Sequence, residues 1–272
     1  TAQNRDSLRS AWSSWANGDR RVDDTTGTSL AANFSRSLQN EGDLDSALLL
    51  STLAMRLAQE GVSASKSASS ERWLRHRMTA ERTHAAQTFF LNRYPESVEA
   101  IKAYLATAEE LRLPEEIGAA YNYLGYCYTT MEDLPSALKW SRKSMETLRR
   151  IGSGIDLANA YTGMGNILDE MGRYDSALHY LRKALDLHRT LDAPNNQAAA
   201  YFSAIETLRH LHWPDSVDDY LARVAPLVAT LDQPRTTMHY LNLLGQRETE
   251  LGRAAEALTH LLRADTLAVS IE

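Results

Sequence analysis

The sequence is poor in the residues that most often carry chemistry or locate a protein. It has one cysteine, Cys127, so no intramolecular disulfide can form and the redox compartment is left open. Cys127 sits in an apolar helical stripe between Tyr126 and Tyr128 and reads as a buried small hydrophobe. Lysine is also scarce, at five residues, and the net charge is −6. An acidic chain without clustered Lys and Arg lacks the surface that phosphate backbones need, so no nucleic-acid partner is expected. No apolar run approaches the roughly 18 residues of a membrane span, and no hydrophobic signal segment is present, so this segment is not expected to insert in a membrane.

Catalytic motifs are missing as well. The sequence contains no HExxH, P-loop, GxSxG or GxGxxG. Gly152-Ser153-Gly154 is a linker between helices, not a phosphate cradle. His210 and His212 form the one close histidine pair, and on a helix they point about 200° apart, which prevents them from sharing a metal. Asp169 and Glu170 read as polar groups at an exposed helix end. With no convergent set of reactive groups, neither an enzymatic activity nor a cofactor or metal is expected.

What the chain does have is a repeat. The stretch Tyr161 to Ala184 reads as two short amphipathic helices joined by a tight turn, and it recurs without a gap every 40 residues, at Tyr121 to Ser144, Tyr201 to Val224 and Leu241 to Ala264. A helix-contact column reads Gly125, Gly165, Ile205, Gly245, and a second reads Ala137, Ala177, Val217, Ala257. A third reads Leu111, Ile151, Leu191, Leu231. The breaker between repeats reads Pro114, Gly154, Pro194, Pro234, where a helix must end because Pro lacks an amide hydrogen and Gly frees the backbone. Each such unit cannot bury its apolar face alone, and stacking supplies the core, so the fold class is all-α, an α-solenoid of antiparallel helix pairs.

In chain order, residues 1–27 are an N-terminal capping helix and a polar linker, with Leu8, Ala11, Trp12 and Trp15 on one helical face. Residues 28–61 are a first repeat that turns at Gly42 and Asp43. Residues 62–113 comprise a serine-rich connector and a degenerate repeat, whose charged helix from Ser70 to Asn92 is expected to present a solvated outer face or a basic face for an acidic partner. Residues 114–272 hold four tandem repeats. Pro226 falls inside a helix and is expected to kink or shorten it. The pattern is still helical at Glu272, and the natural chain is expected to continue.

The spacing of Tyr161, Met164, Gly165 and Leu168, followed by Gly172, Tyr174, Ala177, Leu181 and Ala184, resembles the tetratricopeptide repeat. The resemblance covers about 28–61 and 94–272, with a unit six residues longer than the usual length of about 34. Units of this length look like those of peptide-sensing and scaffold members. The resemblance implies a concave groove lined by the stripe beside the helix contact, where members bind peptides or extended protein segments. In this chain those positions are Asn122 and Tyr126; Thr162, Asn166 and Asp169; Phe202, Glu206 and Arg209; and Asn242 and Gln246, with Thr129 and Thr249 completing two of the rows. Amides recur there, and a donor with an acceptor on one group suits an extended backbone. A carboxylate-clamping groove would need several cations in the stripe, and only Arg82 and Arg209 qualify.

The expected function is therefore a non-catalytic module that binds a peptide or protein segment in a groove. A narrower resemblance, to the ectodomains of bacterial membrane-anchored regulators, implies an extracytoplasmic, periplasmic sensor. The alternatives are a cytoplasmic assembly scaffold or chaperone adaptor, and an RNA-binding helical repeat that retention on RNA at moderate salt would reveal. The open C-terminal helix pair could also support a homo-oligomer.

Overall fold

The computed structural model describes residues 2–18, 25–40, 42–64 and 67–271. Among the described residues every regular element is an α-helix: α1 (Ala2–Asn17), α2 (Thr26–Asn40), α3 (Leu44–Ala64), α4 (Ser67–Phe90), α5 (Tyr94–Glu110), α6 (Pro114–Thr130), α7 (Leu134–Ile151), α8 (Gly154–Glu170), α9 (Tyr174–Thr190), α10 (Pro194–His210), α11 (Pro214–Leu231), α12 (Pro234–Glu250) and α13 (Ala254–Ile271). The chain divides into two compact units, Thr1–Asp133 and Leu134–Glu272. The linker expected up to residue 27 narrows, because α2 already begins at Thr26; residues 19–24 lie outside the described ones.

Small residues set how closely the helices of a hairpin approach. In the first unit the Ser35 hydroxyl on α2 donates to the Ala47 carbonyl on α3 at 2.6 Å, and the Ser97 hydroxyl on α5 donates to the Ala85 carbonyl on α4 at 2.8 Å. In the second unit a β-carbon added at Gly165 would stand 3.3 Å from the Ala177 carbonyl, and one at Gly245 would stand 3.4 Å from that of Ala257. Each pair is 12 residues apart. The Ala85–Ser97 pair lies one 40-residue period ahead of Gly125 and Ala137, so the same contact is built in the segment that reads as degenerate, with the small residues serine and alanine in exchanged order. The Ser35–Ala47 pair lies 50 residues ahead of Ala85 and Ser97, ten out of step. The surplus lies in longer helices: α3 and α4 have 21 and 24 residues, whereas α9 and α10 have 17 each.

The turns repeat too. Asn92, Glu132, Gly172, His212 and Gly252, spaced by 40, all have positive φ, as do Arg112, Gly152, Asp192 and Asp232. Each ends a helix in the left-handed region, which lets the following amides turn back onto the last carbonyls. Gly172 N–H reaches the Asp169 carbonyl at 2.8 Å, and Arg173 N–H the Leu168 carbonyl at 2.8 Å. Proline opens α6, α10, α11 and α12, where a missing donor costs nothing.

Three expectations are modified. The serine-rich stretch is mostly helix, since α3 runs to Ala64 and α4 starts at Ser67; residues 65–66 lie outside the described ones. Helix α4 is not a solvated outer face: α2, α3 and α5 pack on it, burying Trp73, Leu74, Met78 and Gln87. Three of its four arginines are drawn into the unit, Arg72 to Thr25, Arg77 to Thr107, Glu81 and Glu110, and Arg82 to Glu116. Long guanidinium arms let a charged helix bury its stem while the heads find partners. Finally, α11 passes through Pro226 without ending early, from Pro214 to Leu231. Pro226 and Ala222, whose carbonyl loses its helical donor, are both exposed, so solvent can satisfy that carbonyl while Val224 and Val228 stay in the core.

In the second unit each helix from α8 onward packs on the one before it, and α8, α10 and α12 also touch in a row. The core gathers Leu181, Leu185, Ile205, Leu208, Val224 and Leu243 from α9 to α12.

Candidate functional site

The row α8, α10, α12 carries eight of the ten positions singled out in the sequence; Asn122 and Tyr126 lie on α6, in the first unit. Side chains stitch the row along its seams. Asn196 on α10 donates to Asn159 on α8 at 2.7 Å. Asp169 at the end of α8 meets His210 Nδ1 at 3.1 Å, and the His210 imidazole lies 4.9 Å from the Tyr174 ring. Arg209 on α10 holds Glu206 on its own helix at 2.7 Å, Glu250 on α12 at 2.8 Å and the Gln246 side-chain oxygen at 2.6 Å. Burial pulls the Arg209 guanidinium down, but its bonds to Glu250 and Glu206 outweigh this and hold it above the ordinary value. Arg247 is drawn the other way, to Asp218 on α11, which grips it at 2.7 and 2.8 Å and is itself held below the usual carboxylate range by that bond.

The ten positions therefore have different fates. Asp169, Arg209 and Gln246 are drawn into cross-helix bonds, and Glu206 holds Arg209 within their own helix. Asn166 and Asn242 are half-buried on the same row, and neither side chain has a hydrogen-bond partner among the described residues. Thr162, 7% exposed, returns its hydroxyl to the Ala158 carbonyl of its own helix at 3.2 Å. Phe202, 5% exposed, belongs to the core and stacks on His239 at 4.5 Å. Asn122 is 7% exposed, and its side-chain oxygen is shut from solvent without a partner. Tyr126 is exposed, on the wall of a cavity in the first unit.

Sequence reasoning missed that cavity, and it missed His210 and Glu250 as members of the row. Their signal was present: the seam contacts fall 37 or 41 residues apart, three short of or one beyond the repeat period, which on a helix is the same face. Among the described residues no group of three or more His, Cys, Asp or Glu is placed to hold a metal ion, and no helix is long and apolar enough to cross a membrane.

Comparison with known proteins places this geometry. The tetratricopeptide repeat family model matches residues 116–190. No curated protein matches. Among solved structures, the apo form of RapI superposes with a TM-score of 0.73 at 13% identity, over 98% of this chain and 90% of that one. The Rap conjugation gene regulator of the plasmid pLS20, solved in complex with the Phr* peptide, superposes with a TM-score of 0.69 at 14% identity, over 99% and 70%. BtubC (BKLC) from P. vanneervenii does so with a TM-score of 0.68 at 14% identity, over 84% and 92%.

Proposed function

We propose that the chain, whose residues 116–190 match the tetratricopeptide repeat family, is a non-catalytic interaction module that holds an extended peptide or protein segment along α8, α10 and α12. The observation that carries this reading is the contrast on that row. Of the positions singled out there, the charged ones, Asp169, Glu206 and Arg209, already have partners, whereas the amides of Asn166 and Asn242 stand half-buried with none among the described residues. An amide offers a donor and an acceptor together, which is what each unit of an extended backbone needs. The solved complex of the pLS20 Rap regulator with the Phr* peptide adds support, as a protein of the same fold with a peptide partner. We propose more narrowly that the module is the sensor portion of a bacterial regulator; a cytoplasmic scaffold is the alternative, and a full-length sequence with or without a following membrane span separates the two.

The test is hydrogen exchange on the complex with whatever peptide segment co-purifies with the tagged chain. Protection concentrated on α8, α10 and α12 is the expected result. Protection confined to α9, α11 and α13 would place the partner on the other face and overturn the reading.

A further inference from the structure

The first unit contains a cavity of about 530 Å³ between α2, α4, α5 and α6 that the proposed peptide row does not use. Its walls are mainly apolar and aromatic. Phe90, Tyr123 and Tyr126 are 47%, 41% and 37% exposed there, an unusual concentration of uncovered aromatic surface, and Phe89 joins them. Two guanidinium groups share the lining, Arg36 from α2 and Arg82 from α4. They are not equivalent. Arg82 pairs with Glu116 at 3.3 Å, and Glu116 also accepts from the Tyr104 hydroxyl. Arg36 has only the neutral side chain of Asn33 as a partner among the described residues. Partial burial and the neighbouring Arg82 charge both hold the Arg36 guanidinium below its ordinary value, and it remains a cation.

The cavity thus joins an apolar body to one positive charge that no anion among the described residues compensates, and this combination narrows the ligand. An inorganic anion would engage Arg36 and leave the aromatic walls facing water. A neutral apolar molecule would fill the walls and leave the charge beside Arg82 unrelieved. A peptide end would need partners for its backbone groups, and the polar wall groups are largely spent: the Ser97 hydroxyl goes to the Ala85 carbonyl, that of Thr83 to the Thr79 carbonyl, and the Gln39 oxygen accepts from Gln87 at 2.9 Å. Gln39 keeps its amide N–H groups, one helical turn from Arg36, as a second donor for one carboxylate.

We propose that this cavity binds a small amphipathic carboxylic acid, an aliphatic or aromatic body carrying one carboxylate, with the carboxylate on Arg36 and Gln39 and the body against Phe90, Tyr123 and Tyr126. Pockets of this size and lining are typical of small-molecule sites, and a guanidinium receives a carboxylate with two parallel hydrogen bonds.

Calorimetric titration of the whole chain with decanoate, 1-decanol, acetate and N-acetyl-leucyl-phenylalanine decides it. Decanoate should bind one to one, and decanol and acetate should bind about tenfold more weakly or worse. Arg36→Ala, an exposed position whose melting curve should match the parent, should cost decanoate about tenfold and leave decanol unchanged. Phe90→Ala should weaken both. Equal binding of decanoate and decanol, an Arg36→Ala variant that binds decanoate like the parent, no decanoate binding, or tighter binding of the acetylated dipeptide would each overturn the proposal.

Discussion

Gly165 on α8 and Leu181 on α9 occupy the same space: a β-carbon at 165 would stand 2.6 Å from the Leu181 γ-carbon, closer than any real contact. Gly245 and Leu261 repeat the relationship two hairpins on, at 2.7 Å. The glycine is therefore what allows a leucine from the following helix to fill the seam between α8 and α9. Gly165→Ala should destabilise the protein by about 1 to 3 kcal/mol through overpacking, and because repeats couple mainly to neighbours, hydrogen-exchange protection should fall first across α8 and α9. Trimming Leu181 to Val in the same chain should recover part of the loss. Unchanged protection in the single variant would mean that this seam does not limit helix approach.

The left-handed turn column makes a second prediction of the opposite sign. His212 is exposed and has a φ of 56°, at the position where Gly172 and Gly252 have 69° and 72°. A side chain there costs roughly 1 to 2 kcal/mol in backbone strain, against about 0.5 to 1 kcal/mol of extra entropy that glycine loses on folding. His212→Gly should thus stabilise by up to about 1 kcal/mol, raising Tm by a few degrees, and Gly172→Ala should lower it. A His212→Gly variant that melts below the parent would contradict the turn assignment.

Stability should fall on acidification. His188 is 1% exposed with Nδ1 unpartnered, and burial holds its pKa below the ordinary histidine value; burial does the same, first among the causes, for His76, His84 and His239. A histidine that stays neutral in the fold but takes a proton in the unfolded chain leaves stability intact above its unfolded pKa, near 6.5, and withdraws it as pH falls from there toward the folded value. Each can remove at most about 1.4 kcal/mol per pH unit. Melting temperatures between pH 7.5 and 5 should show the decline beginning near pH 6.5, and His188→Leu should flatten it. A profile level across that range would contradict the buried, neutral state of His188.

Binding can be tested at single side chains. Asn166→Ala or Asn242→Ala each removes one or two hydrogen bonds formed only with a partner, at about 0.5 to 1.5 kcal/mol apiece, so affinity should drop about two- to tenfold and the double variant should lose more. Melting should hardly move, since neither amide has a partner to lose among the described residues. Arg182→Ala, exposed on α9, is the control and should bind as the parent does. Calorimetry with the co-purified peptide reads the result, and equal dissociation constants for the parent and the double variant would remove the amide row from the binding site.

The sequence by itself determined where helices stop and which residues let them touch. Pro114, Pro194 and Pro234 open helices, Gly172 and Gly252 end them, and the pairs Gly165–Ala177 and Gly245–Ala257 set helix approach, because all of these act through the local backbone or across a single hairpin. What tertiary structure decided is the use of everything facing the neighbouring hairpins. The period alone makes Thr162, Asn166, Phe202 and Arg209 members of one stripe, yet the fold returns the threonine to its own helix, leaves the asparagine without a partner among the described residues, sinks the phenylalanine into the core and ties the arginine to Glu250, 41 residues away. The cavity between Arg36 and Tyr126 was hidden for the same reason. It depends on side chains from helices far apart in the chain, whose meeting is fixed by how hairpins stack and not by the pattern within any one of them.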